Sequence, residues 1–402
     1  MSAAAVRDRA NSVLAAGERG DLGHFSVHPG KLEAVADYVV AVIRDRYPNL
    51  DVPYHARWRH FAVGGHDRWA LLAKQRLGQA SSEERARVRF ELAITSVLLD
   101  AGAGEAWSYL EPATGTRYAR SEGLAVASFD LYASGRLSAL PQNPLRADAA
   151  ALKTFSFNAL KQEFQVSQDN PLAGAEGRAA LIRRLGEAVG AQPAVFGQEG
   201  RLGGLFDYLS SDARAGRLHA ETILRAVIES LGPVWPGRIV REGRNLGDVW
   251  PHPAVQRGDP KDPTDGLVPF HKLSQWLSYS LVEPLEEASI AVADLDALTG
   301  LPEYRNGGLM IDLGVLQARD PALLAEPQRV DSEGVIEWRA LTVALLDRLA
   351  PLVRERLGVT AAQFPLARVL EGGTWAAGRR IARELRKDGA PPIRLDSDGT
   401  VF

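Results

Sequence analysis

Residues 262–286 read DPTDGLVPFHKLSQWLSYSLVEPLE, and this stretch predicts a helix of the kind from which the fold is built. Apolar or small residues recur there at helical spacing: Leu273, Trp276, Leu277, Ser280 and Leu281. Pro269 suits a first helical turn, because that position has no backbone N–H bond to lose. Thr264 or Asp265 can then act as the cap, so we expect the helix to begin near Pro269.

An acid, a histidine and a lysine lie at the predicted start of this helix. They are Asp265, His271 and Lys272, within eight residues of one another. Free N–H groups at a helix N-terminus, beside a lysine and a histidine, form a ready-made anion site. The alternative is an ordinary capped core helix with a solvated first turn, and the spacing alone does not decide between the two.

Similar amphipathic patterns predict that most of the chain is helical. They lie at residues 31–46, 81–100, 178–189, 219–231, 273–293 and 336–357. Residues 370–380, LEGGTWAAGRR, predict a further helix start capped by Thr374, and residues 308–315, GLMIDLGV, are the one candidate strand. We predict an all-α fold: a single helical body over residues 1–402, with a candidate division into helical subdomains 1–125 and 126–402.

The composition is that of an ordinary globular protein, and it excludes several chemistries. The chain has 402 residues, 46% hydrophobic and 24% charged, with a net charge of −3. Because it has no cysteine, it cannot form disulfides, zinc–thiolate sites or iron–sulfur clusters. No basic stripe suggests nucleic acid, and no run of about 18 apolar residues suggests a membrane span. Arg7, Asp8 and Arg9 stand where a signal peptide needs an apolar core, so we expect a soluble, cytoplasmic protein.

Long loops separate the predicted helices, at residues 51–69, 102–123, 233–264 and 301–308. Four of the eight tryptophans lie inside these loops, Trp58, Trp107, Trp235 and Trp250, and a fifth, Trp69, ends the first loop. Loops of this length are uncommon in a compact domain unless they line a site or are disordered, and the aromatic residues argue against disorder. We expect the loops to line a site, with packing over the core as the alternative for the aromatic side chains.

Residues 53–69, PYHARWRHFAVGGHDRW, concentrate histidine and arginine in one loop. The three histidines are His55, His60 and His66. Their spacing matches no compact helical pair of metal ligands and no acid-rich loop accompanies them, so we expect no metal here. Arginines such as Arg59 suit phosphate or carboxylate, because guanidinium groups bind such anions bidentately. A structural loop held by salt bridges is the alternative.

Two further acids are candidates for a site. Asp100 begins DAGAGEAW, which follows a predicted helix rather than a strand and so does not predict a dinucleotide fold. Residues 301–316, LPEYRNGGLMIDLGVL, contain Asp312 between apolar neighbours, where burial would raise the pKa of the carboxyl unless it is paired with an arginine. Two carboxylates around a sugar suffice for glycosidic chemistry, and Asp265 and Asp312 are the pair that we nominate.

Five strings of the chain resemble one known family. They are RWRHF (57–61), LLDAGAGEAW (98–107), DGLVPFHKLSQWLSYSLVEPLE (265–286), LPEYRNGGLMIDLGVL (301–316) and LEGGTWAAGR (370–379). Over nearly the full chain they look like the fungal and bacterial uracil-catabolism family, the uracil catabolism protein four or uracil-regulated protein three family. In that pathway uracil becomes a ribonucleotide, the ring is opened, and urea and a three-carbon acid appear. The resemblance implies a ribosylurea-type intermediate from which an enzyme releases urea.

A second, weaker resemblance is to the queuosine salvage glycosylases. It rests on Asp265, Val268, Pro269, Leu273, Tyr279 and Ser280. Those all-α enzymes have a DNA-glycosylase-like architecture and hydrolyse the N-glycosidic bond of a 5′-phosphorylated nucleoside, and the matching acid belongs to their active site. They tend to have Tyr-Arg after that acid, whereas this chain has Gly266 and Leu267. The arginine's role would then fall to Lys272, His271 or Arg305.

Together the resemblances imply an N-ribosidic hydrolase that cleaves a ribosylurea 5-phosphate, or a related ring-opened uridine nucleotide, to urea and ribose 5-phosphate. Asp265 would stabilise the cationic sugar, and Asp312 would position water or the leaving urea. The predicted substrate-binding residues are Arg59, Lys272 and Arg305 for phosphate, His60 and His271 for proton transfer, Trp107 and Trp276 as walls, and also Asp100 and Glu303. The chemistry requires no metal or organic cofactor. We expect a phosphorylated ribosyl small molecule as the partner, and neither nucleic acid nor a membrane.

Two other functions stay open on the sequence. One is an amidohydrolase or isomerase acting on the opened pyrimidine, which would need a metal or a nucleophile that the sequence does not display. The other is a non-catalytic metabolite-binding or scaffold protein of the pathway. Metal analysis of the purified protein addresses the first, and only product formation separates the second from an enzyme.

Overall fold

Helices dominate the computed structural model, which describes residues 2–235, 238–258 and 261–396. In chain order they are α1 (Ala3–Arg19), α2 (Leu32–Arg46), α3 (Trp58–Phe61), α4 (Arg68–Arg76), α5 (Ser82–Leu98), α6 (Arg120–Ala133), α7 (Ala149–Lys153), α8 (Phe157–Glu163), α9 (Ala175–Gly190), α10 (Pro193–Phe196), α11 (Gly204–Asp212), α12 (Ala220–Leu231), α13 (Lys272–Glu287), α14 (Tyr304–Asp312), α15 (Ala322–Ala325), α16 (Glu333–Leu357), α17 (Leu366–Arg368) and α18 (Trp375–Leu385). The predicted all-α class is confirmed. None of the helices in these described ranges is both long and apolar enough to cross a membrane.

The strands of the described residues are short and pair only two at a time. They are β1 (Phe25–Val27), β2 (Ser108–Leu110), β3 (Arg117–Ala119), β4 (Arg217–His219), β5 (Val240–Arg241), β6 (Arg244–Asn245), β7 (Val249–Pro251), β8 (Leu267–Pro269), β9 (Ala291–Ala293), β10 (Leu316–Ala318), β11 (Gln328–Arg329) and β12 (Leu395–Asp396). The pairs β1–β10, β2–β3, β5–β6 and β7–β8 are antiparallel, and β4–β9 and β11–β12 are parallel. Some pairs join neighbouring segments and others, such as β1–β10, join segments far apart in the sequence, but none adds a sheet layer to the described part of the fold.

Contacts between residues divide the chain into two compact units. The first unit contains residues 2–55, 238–275 and 294–396, and the second contains residues 56–235 and 276–293. Each unit is therefore assembled from segments that are far apart in the sequence. The single body and the division at residue 125 stay predictions.

In the first unit, the long helix α16 packs against α1, α2 and α14. Its inward side chains include Trp338, Leu341 and Leu345, each almost fully buried. Burying an apolar side chain of this size contributes about 1.5–3 kcal/mol to folding. The helix ends at Gly358, whose φ of 71° is the left-handed conformation that glycine adopts without a steric penalty.

In the second unit, α5 packs against α6, α9 and α11 around one buried carboxylate. Glu91, on α5, accepts hydrogen bonds from Tyr132 Oη and Arg201 Nε, both at 2.7 Å, and from the backbone N–H groups of Ala147 and Gly203, both at 3.1 Å. A buried charge that is both paired and hydrogen-bonded fixes the positions of its partners. Both carboxylate oxygens of Glu91 are thus used in hydrogen bonds within the second unit, which indicates a structural role.

Six predicted helices are confirmed. Residues 31–46 correspond to α2, 81–100 to α5, 178–189 to part of α9, 219–231 to α12, and 336–357 to part of α16. Residues 273–293 correspond to α13 only as far as Glu287, since Ala291–Ala293 form β9. The predicted start of α5 is also confirmed, because Ser81 Oγ accepts the backbone N–H of Glu84 at 3.2 Å.

Three local predictions are wrong. The residues expected to open α13 form β8, which pairs with β7, and the helix begins only at Lys272. The candidate strand at 308–315 is largely the end of α14, since the helical apolar spacing continues through Asp312. Thr374 does not cap a helix: it lies within a π-helix, Val369–Thr374, that runs directly into α18.

Candidate functional site

The acid at the start of α13 is Asp248 of the first unit. Its Oδ2 accepts the backbone N–H of Lys272 at 3.1 Å, and its Oδ1 accepts Trp250 Nε1–H at 2.6 Å. Its carbonyl oxygen accepts the N–H groups of Phe270 at 2.9 Å and His271 at 3.4 Å. Asp248 thus accepts three successive backbone N–H groups up to the first residue of the helix, which is the capping role predicted for Thr264 or Asp265.

Arg339 of α16 completes the surroundings of Asp248. Its Nη1 and Nη2 donate to the two carboxylate oxygens at 2.9 and 2.8 Å, and its guanidinium lies 4.0 Å from the ring centroid of Phe270. Burial alone would raise the pKa of Asp248, but the charge and hydrogen bonds of Arg339, together with Trp250 and the Lys272 N–H, hold it well below its usual range. Asp248 therefore stays ionised and holds the first turn of α13 in place.

His271, the residue before α13, is buried and strained. Its φ of 48° is in the left-handed region, which residues other than glycine seldom adopt. Its Nε2 has no hydrogen-bond partner among the described residues. Burial lowers the pKa of the ring to about 4, with Asp248 opposing and Arg339 reinforcing the shift. His271 is consequently neutral at pH 7, and its buried Nε2 forms no hydrogen bond within the described residues.

A buried amide connects the start of α13 to the segment that precedes α14. Gln275 Nε2 donates to the Phe270 carbonyl at 3.1 Å and to Thr299 Oγ1 at 2.5 Å, and Gln275 Oε1 accepts the Thr299 N–H at 2.8 Å. Thr299, four residues before Glu303, is therefore held against the first turn of α13.

Glu303 is the second carboxyl of this site. It caps α14, since its oxygens accept the N–H groups of Arg305 at 2.7 Å and Asn306 at 2.5 Å. Burial raises its pKa, while these two bonds and the positive charges of Lys272 and His55 oppose the shift. The side chains of Glu303 and Lys272 are only 8% and 9% exposed. A carboxyl with a raised pKa close to a buried ammonium group is a candidate for proton transfer.

Within a π-helix of the first unit, Glu371 contacts His55. Glu371, within Val369–Thr374, is buried, and its Oε2 lies 2.8 Å from His55 Nδ1. The His55 ring is 5.9 Å from that of Trp375, the first residue of α18. Short π-helical segments occur often at functional sites. His55 and Glu371 were not among the predicted site residues, although both lie in stretches that the sequence singled out.

The two carboxylates predicted to act as a catalytic pair have separate partners. Asp265 is partly exposed and accepts the backbone N–H groups of Arg257 at 2.7 Å and Gly258 at 2.8 Å, which hold its pKa below the usual range. Asp312 forms a bidentate pair with Arg386, at 2.8 and 2.5 Å. No contact joins these two acids in the described part of the chain, and their catalytic roles stay predictions.

Of the predicted phosphate ligands, Lys272 and Arg305 belong to the first unit. Arg305 Nη1 donates to the Gly389 carbonyl at 2.9 Å, and its guanidinium lies 5.3 Å from the Tyr304 ring. Lys272 belongs to the cluster at the start of α13. Among the predicted residues, His271 and Lys272 thus lie together at the start of α13, and Lys272 interacts electrostatically with Glu303.

Four other predicted residues lie in the second unit, around the buried Arg57. Arg57 Nη1 donates to Asp100 at 2.6 Å, and its guanidinium lies 5.5 Å from the Trp276 ring. The His60 ring meets Trp276 edge-on at 5.8 Å, and Arg59 Nη2 donates to both oxygens of Glu283, at 2.7 and 2.9 Å. Arg57 Nη2 is buried and has no hydrogen-bond partner within the described residues. Arg57 and Arg59 thus both pair with carboxylates, as the alternative of a salt-bridged structural loop describes, and an anion site in this loop stays a prediction.

Trp107 is a core residue of the second unit. It is 1% exposed, stacks on Phe164 at 6.1 Å between ring centroids, and donates Nε1–H to the Phe164 carbonyl at 2.9 Å. These contacts match the alternative given for the loop tryptophans, which is packing over the core. A role for Trp107 at a pocket wall stays a prediction.

His252, Glu333 and Glu337 of the first unit bring potential metal ligands within 4.8 Å of one another. His252 Nε2 lies 3.6 Å from Glu337 Oε2. However, His252 Nδ1 accepts the Ala254 N–H at 3.2 Å, so the neutral ring carries its proton on Nε2. A histidine that binds a metal through Nε2 usually donates a proton from Nδ1, so the geometry favours an Nε2–H facing the carboxylate over a bound metal.

The protein is helical, and its first unit buries carboxyl, imidazole and ammonium groups near the start of α13. These two features define the class of protein. The chain belongs to the family described as "Protein of unknown function (DUF1688)", whose model matches residues 1–402. It is 40% identical over 404 residues to "Protein urg3" of Schizosaccharomyces pombe, covering 99% of this chain and 96% of that protein. It is 38% identical over 431 residues to "Uracil catabolism protein 4" of Lachancea kluyveri, covering 100% and 98% of the two chains.

Proposed function

We propose that this protein acts in uracil catabolism as an N-ribosidic hydrolase. Its substrate is a ribosylurea 5-phosphate or a related ring-opened uridine nucleotide, and water converts it to urea and ribose 5-phosphate. Kinship with a relative named as a uracil catabolism protein, over the full chain, supports the pathway. The observation that carries the chemistry is Glu303, a buried carboxyl whose pKa is raised by burial and which interacts electrostatically with Lys272.

Cleavage of an N-ribosidic bond needs a proton for the departing nitrogen and stabilisation of a cationic sugar. In its protonated form Glu303 donates a proton to the urea nitrogen as the C–N bond breaks. The carboxylate that remains then lies where it stabilises the positive charge on the ribose. A raised pKa suits the donor role, because a larger fraction of the carboxyl is protonated near neutral pH.

His271 and Lys272 supply the remaining groups. The neutral ring of His271 has an unpartnered Nε2, which accepts a proton from the attacking water. The Lys272 ammonium binds the substrate phosphate, as the sequence predicted. Asp248 is a positioning residue in this scheme, because its oxygens are occupied by Arg339, Trp250 and the helix N–H groups.

The test is urea release from synthetic ribosylurea 5-phosphate, with unphosphorylated ribosylurea in parallel. The wild-type protein should form urea and ribose 5-phosphate in equal amounts and should turn over the phosphorylated compound faster. Glu303→Gln should lower kcat by a factor of about 10² or more, since a general acid contributes 10²–10⁴-fold. Exposed Glu326, in the same unit, gives the control Glu326→Gln, which should retain full activity.

Circular dichroism and thermal unfolding will test whether Glu303→Gln is folded. If it is not, His271→Asn replaces it as the variant of the candidate active site. Folded Glu303→Gln protein with unchanged turnover would exclude Glu303 as the acid. If folded wild-type protein releases urea from neither ribosylurea 5-phosphate nor ribosylurea, the proposed reaction is rejected. Stoichiometric metal in active protein would instead favour an amidohydrolase.

A further inference from the structure

The π-helix Val369–Thr374 contributes one member of a buried pair of proton-exchanging groups, Glu371 and His55. Glu371 Oε2 lies 2.8 Å from His55 Nδ1, and each side chain is only 6% exposed. Because an ionised carboxylate accepts hydrogen bonds and cannot donate them, His55 Nδ1 carries a proton in this contact. The ring therefore gains and loses a proton at Nε2. A carboxylate that orients an imidazole in this way also makes the other ring nitrogen a better base.

Two glycines of the π-helix allow it to pack closely against the part of the chain that leads to His55. A Cβ added to Gly372 would lie 2.8 Å from Val52 Cγ1, and a Cβ added to Gly373 would lie 2.7 Å from Val39 Cγ1. Both distances are too short for two carbon atoms, so only glycine permits this approach. The close packing fixes the position of the π-helix relative to the segment that ends at His55.

Two further contacts hold the pair in place. The backbone N–H of His55 donates to the Ala367 carbonyl at 3.0 Å, so this residue is bound to α17 as well as to the π-helix. Arg46 Nη1, at the end of α2, donates to the Glu371 carbonyl at 3.2 Å. The imidazole and the carboxylate are thus positioned before any proton moves, as an efficient proton transfer requires.

The pair interacts with the carboxyl to which proton donation is assigned. The positive charge of His55 acts on Glu303 and lowers its pKa, as the charge of Lys272 does. The helix that Glu303 caps, α14, also packs against the π-helix. The His55 ring lies 5.9 Å from the ring of Trp375, which lines an open groove between α2 and α18. His55 therefore interacts both with Glu303 and with a residue that borders solvent.

In the reaction assigned to Glu303, each turnover leaves this carboxyl deprotonated, because its proton departs with the urea nitrogen. The next turnover requires a proton to return to a residue that is only 8% exposed. We propose that His55, oriented by Glu371, returns this proton: the ring gives one proton from Nε2 to the Glu303 carboxylate and then takes one from solvent.

This step leaves the proton count of the reaction balanced. His271 releases to solvent the proton that it accepted from the attacking water, and His55 takes one from solvent, so one turnover gains or loses no net proton. His55 and Glu371 act through Glu303 and are positioning residues. The inference rests on the reaction proposed above and adds to it the step that prepares Glu303 for the next turnover.

Rapid-quench measurement of urea release from ribosylurea 5-phosphate by the full chain tests this step. In His55→Gln the first turnover should keep the wild-type rate, because Glu303 is already protonated when the substrate binds. Later turnovers should slow by a factor of about 10² or more, since a positioned proton-transfer group contributes about 10²–10⁴-fold. Glu371→Gln should show the same pattern with a loss of about tenfold or more, because the ring loses the carboxylate that orients it. His28→Gln, whose histidine contacts Gln317 in the same unit, is the matched control and should behave like the wild type.

Added imidazole gives a second measurement, which a purely structural role of His55 would not affect. In His55→Ala the removed ring leaves space for imidazole, which should accelerate the later turnovers and leave the first unchanged. The wild type should not respond to imidazole. If circular dichroism shows that His55→Gln is unfolded, His55→Asn takes its place in the comparison of successive turnovers.

Three results would overturn the proposal. They are a steady-state rate of folded His55→Gln equal to that of the wild type, a first turnover that slows as much as the later ones, and no acceleration of His55→Ala by imidazole. Each leaves the proposed function in place, because Glu303→Gln should lose the first turnover together with all later ones. If the wild type releases no urea, the reaction itself is rejected, and the step assigned to His55 is rejected with it.

Discussion

Replacing Asp248 by asparagine tests whether this carboxylate holds the start of α13. The carboxylate accepts four hydrogen bonds from protein donors: two from Arg339, one from Trp250 Nε1 and one from the Lys272 N–H. Asparagine keeps the shape but replaces one oxygen by an NH₂ group, which faces donors and cannot accept from them. The substitution also leaves the buried Arg339 guanidinium without its counter-charge.

The expected cost is about 3–5 kcal/mol in the free energy of unfolding, the usual penalty for removing one partner of a buried ion pair. For a unit of roughly 150–250 residues, this lowers the unfolding temperature by about 6–20 °C, at 2–4 °C per kcal/mol. The assay is urea unfolding followed by circular dichroism, with calorimetry to resolve separate transitions. Asp331→Asn, which breaks the exposed pair with Arg329, is the control and should change stability little.

The pH dependence gives a second measure of the same substitution. The pKa of Asp248 is lowered in the folded protein, so its contribution is complete above the unfolded value of about 3.9 and is lost as pH falls toward the folded pKa. The stability difference between wild type and Asp248→Asn should therefore be constant from neutral pH down to about pH 5 and shrink below about pH 4. A loss smaller than about 1 kcal/mol at pH 7 would refute the role given to Asp248.

Other substitutions test the neighbouring features. The pKa of His271 is about 4 when folded, against about 6.5 when unfolded, so stability should fall by about 3 kcal/mol as pH drops from 6.5 to 4. His271→Asn should lack this slope in denaturant titrations at several pH values, and an equal slope in both proteins would contradict a buried neutral ring. Gly378→Ala should destabilise the protein by about 1–3 kcal/mol, because the added Cβ overlaps the Arg305 carbonyl. Gly177→Ala on α9 meets no atom within 4 Å and should be neutral or stabilising in the same thermal assay. Asp265→Asn should keep urea release close to the wild-type rate, because Asp265 accepts the N–H groups of Arg257 and Gly258 and Glu303 is the proposed acid. Abolished urea release in folded Asp265→Asn protein would instead favour the catalytic role that the sequence predicted for Asp265.

The helix positions could be predicted from the sequence because apolar spacing and capping residues act over only a few residues. The apolar spacing of residues 31–46 and 336–357 places one face of α2 and α16 in the core, whatever those faces meet. Ser81 likewise caps α5 through an N–H only three residues away. Such features depend on helical geometry alone, and the sequence contains all of the information that they need.

The start of α13 was misplaced because its boundary depends on a distant segment. Pro269 is compatible with a first helical turn, but residues 267–269 pair with 249–251 as β8 and β7. The candidate strand at 308–315 failed for a different reason, since a short apolar run with one acid fits a buried helix end as well as a strand.

By itself the sequence determined the helical class, most helix positions and the importance of the segment that contains His271 and Lys272. Only the tertiary structure decided which carboxylates interact with that segment. Asp248 lies 24 residues before Lys272 and 91 before Arg339, so no local spacing connects the three. The pKa of each acid depends on burial and on partners from other elements, which is why Glu303 and Asp265, both plausible by sequence, have opposite shifts.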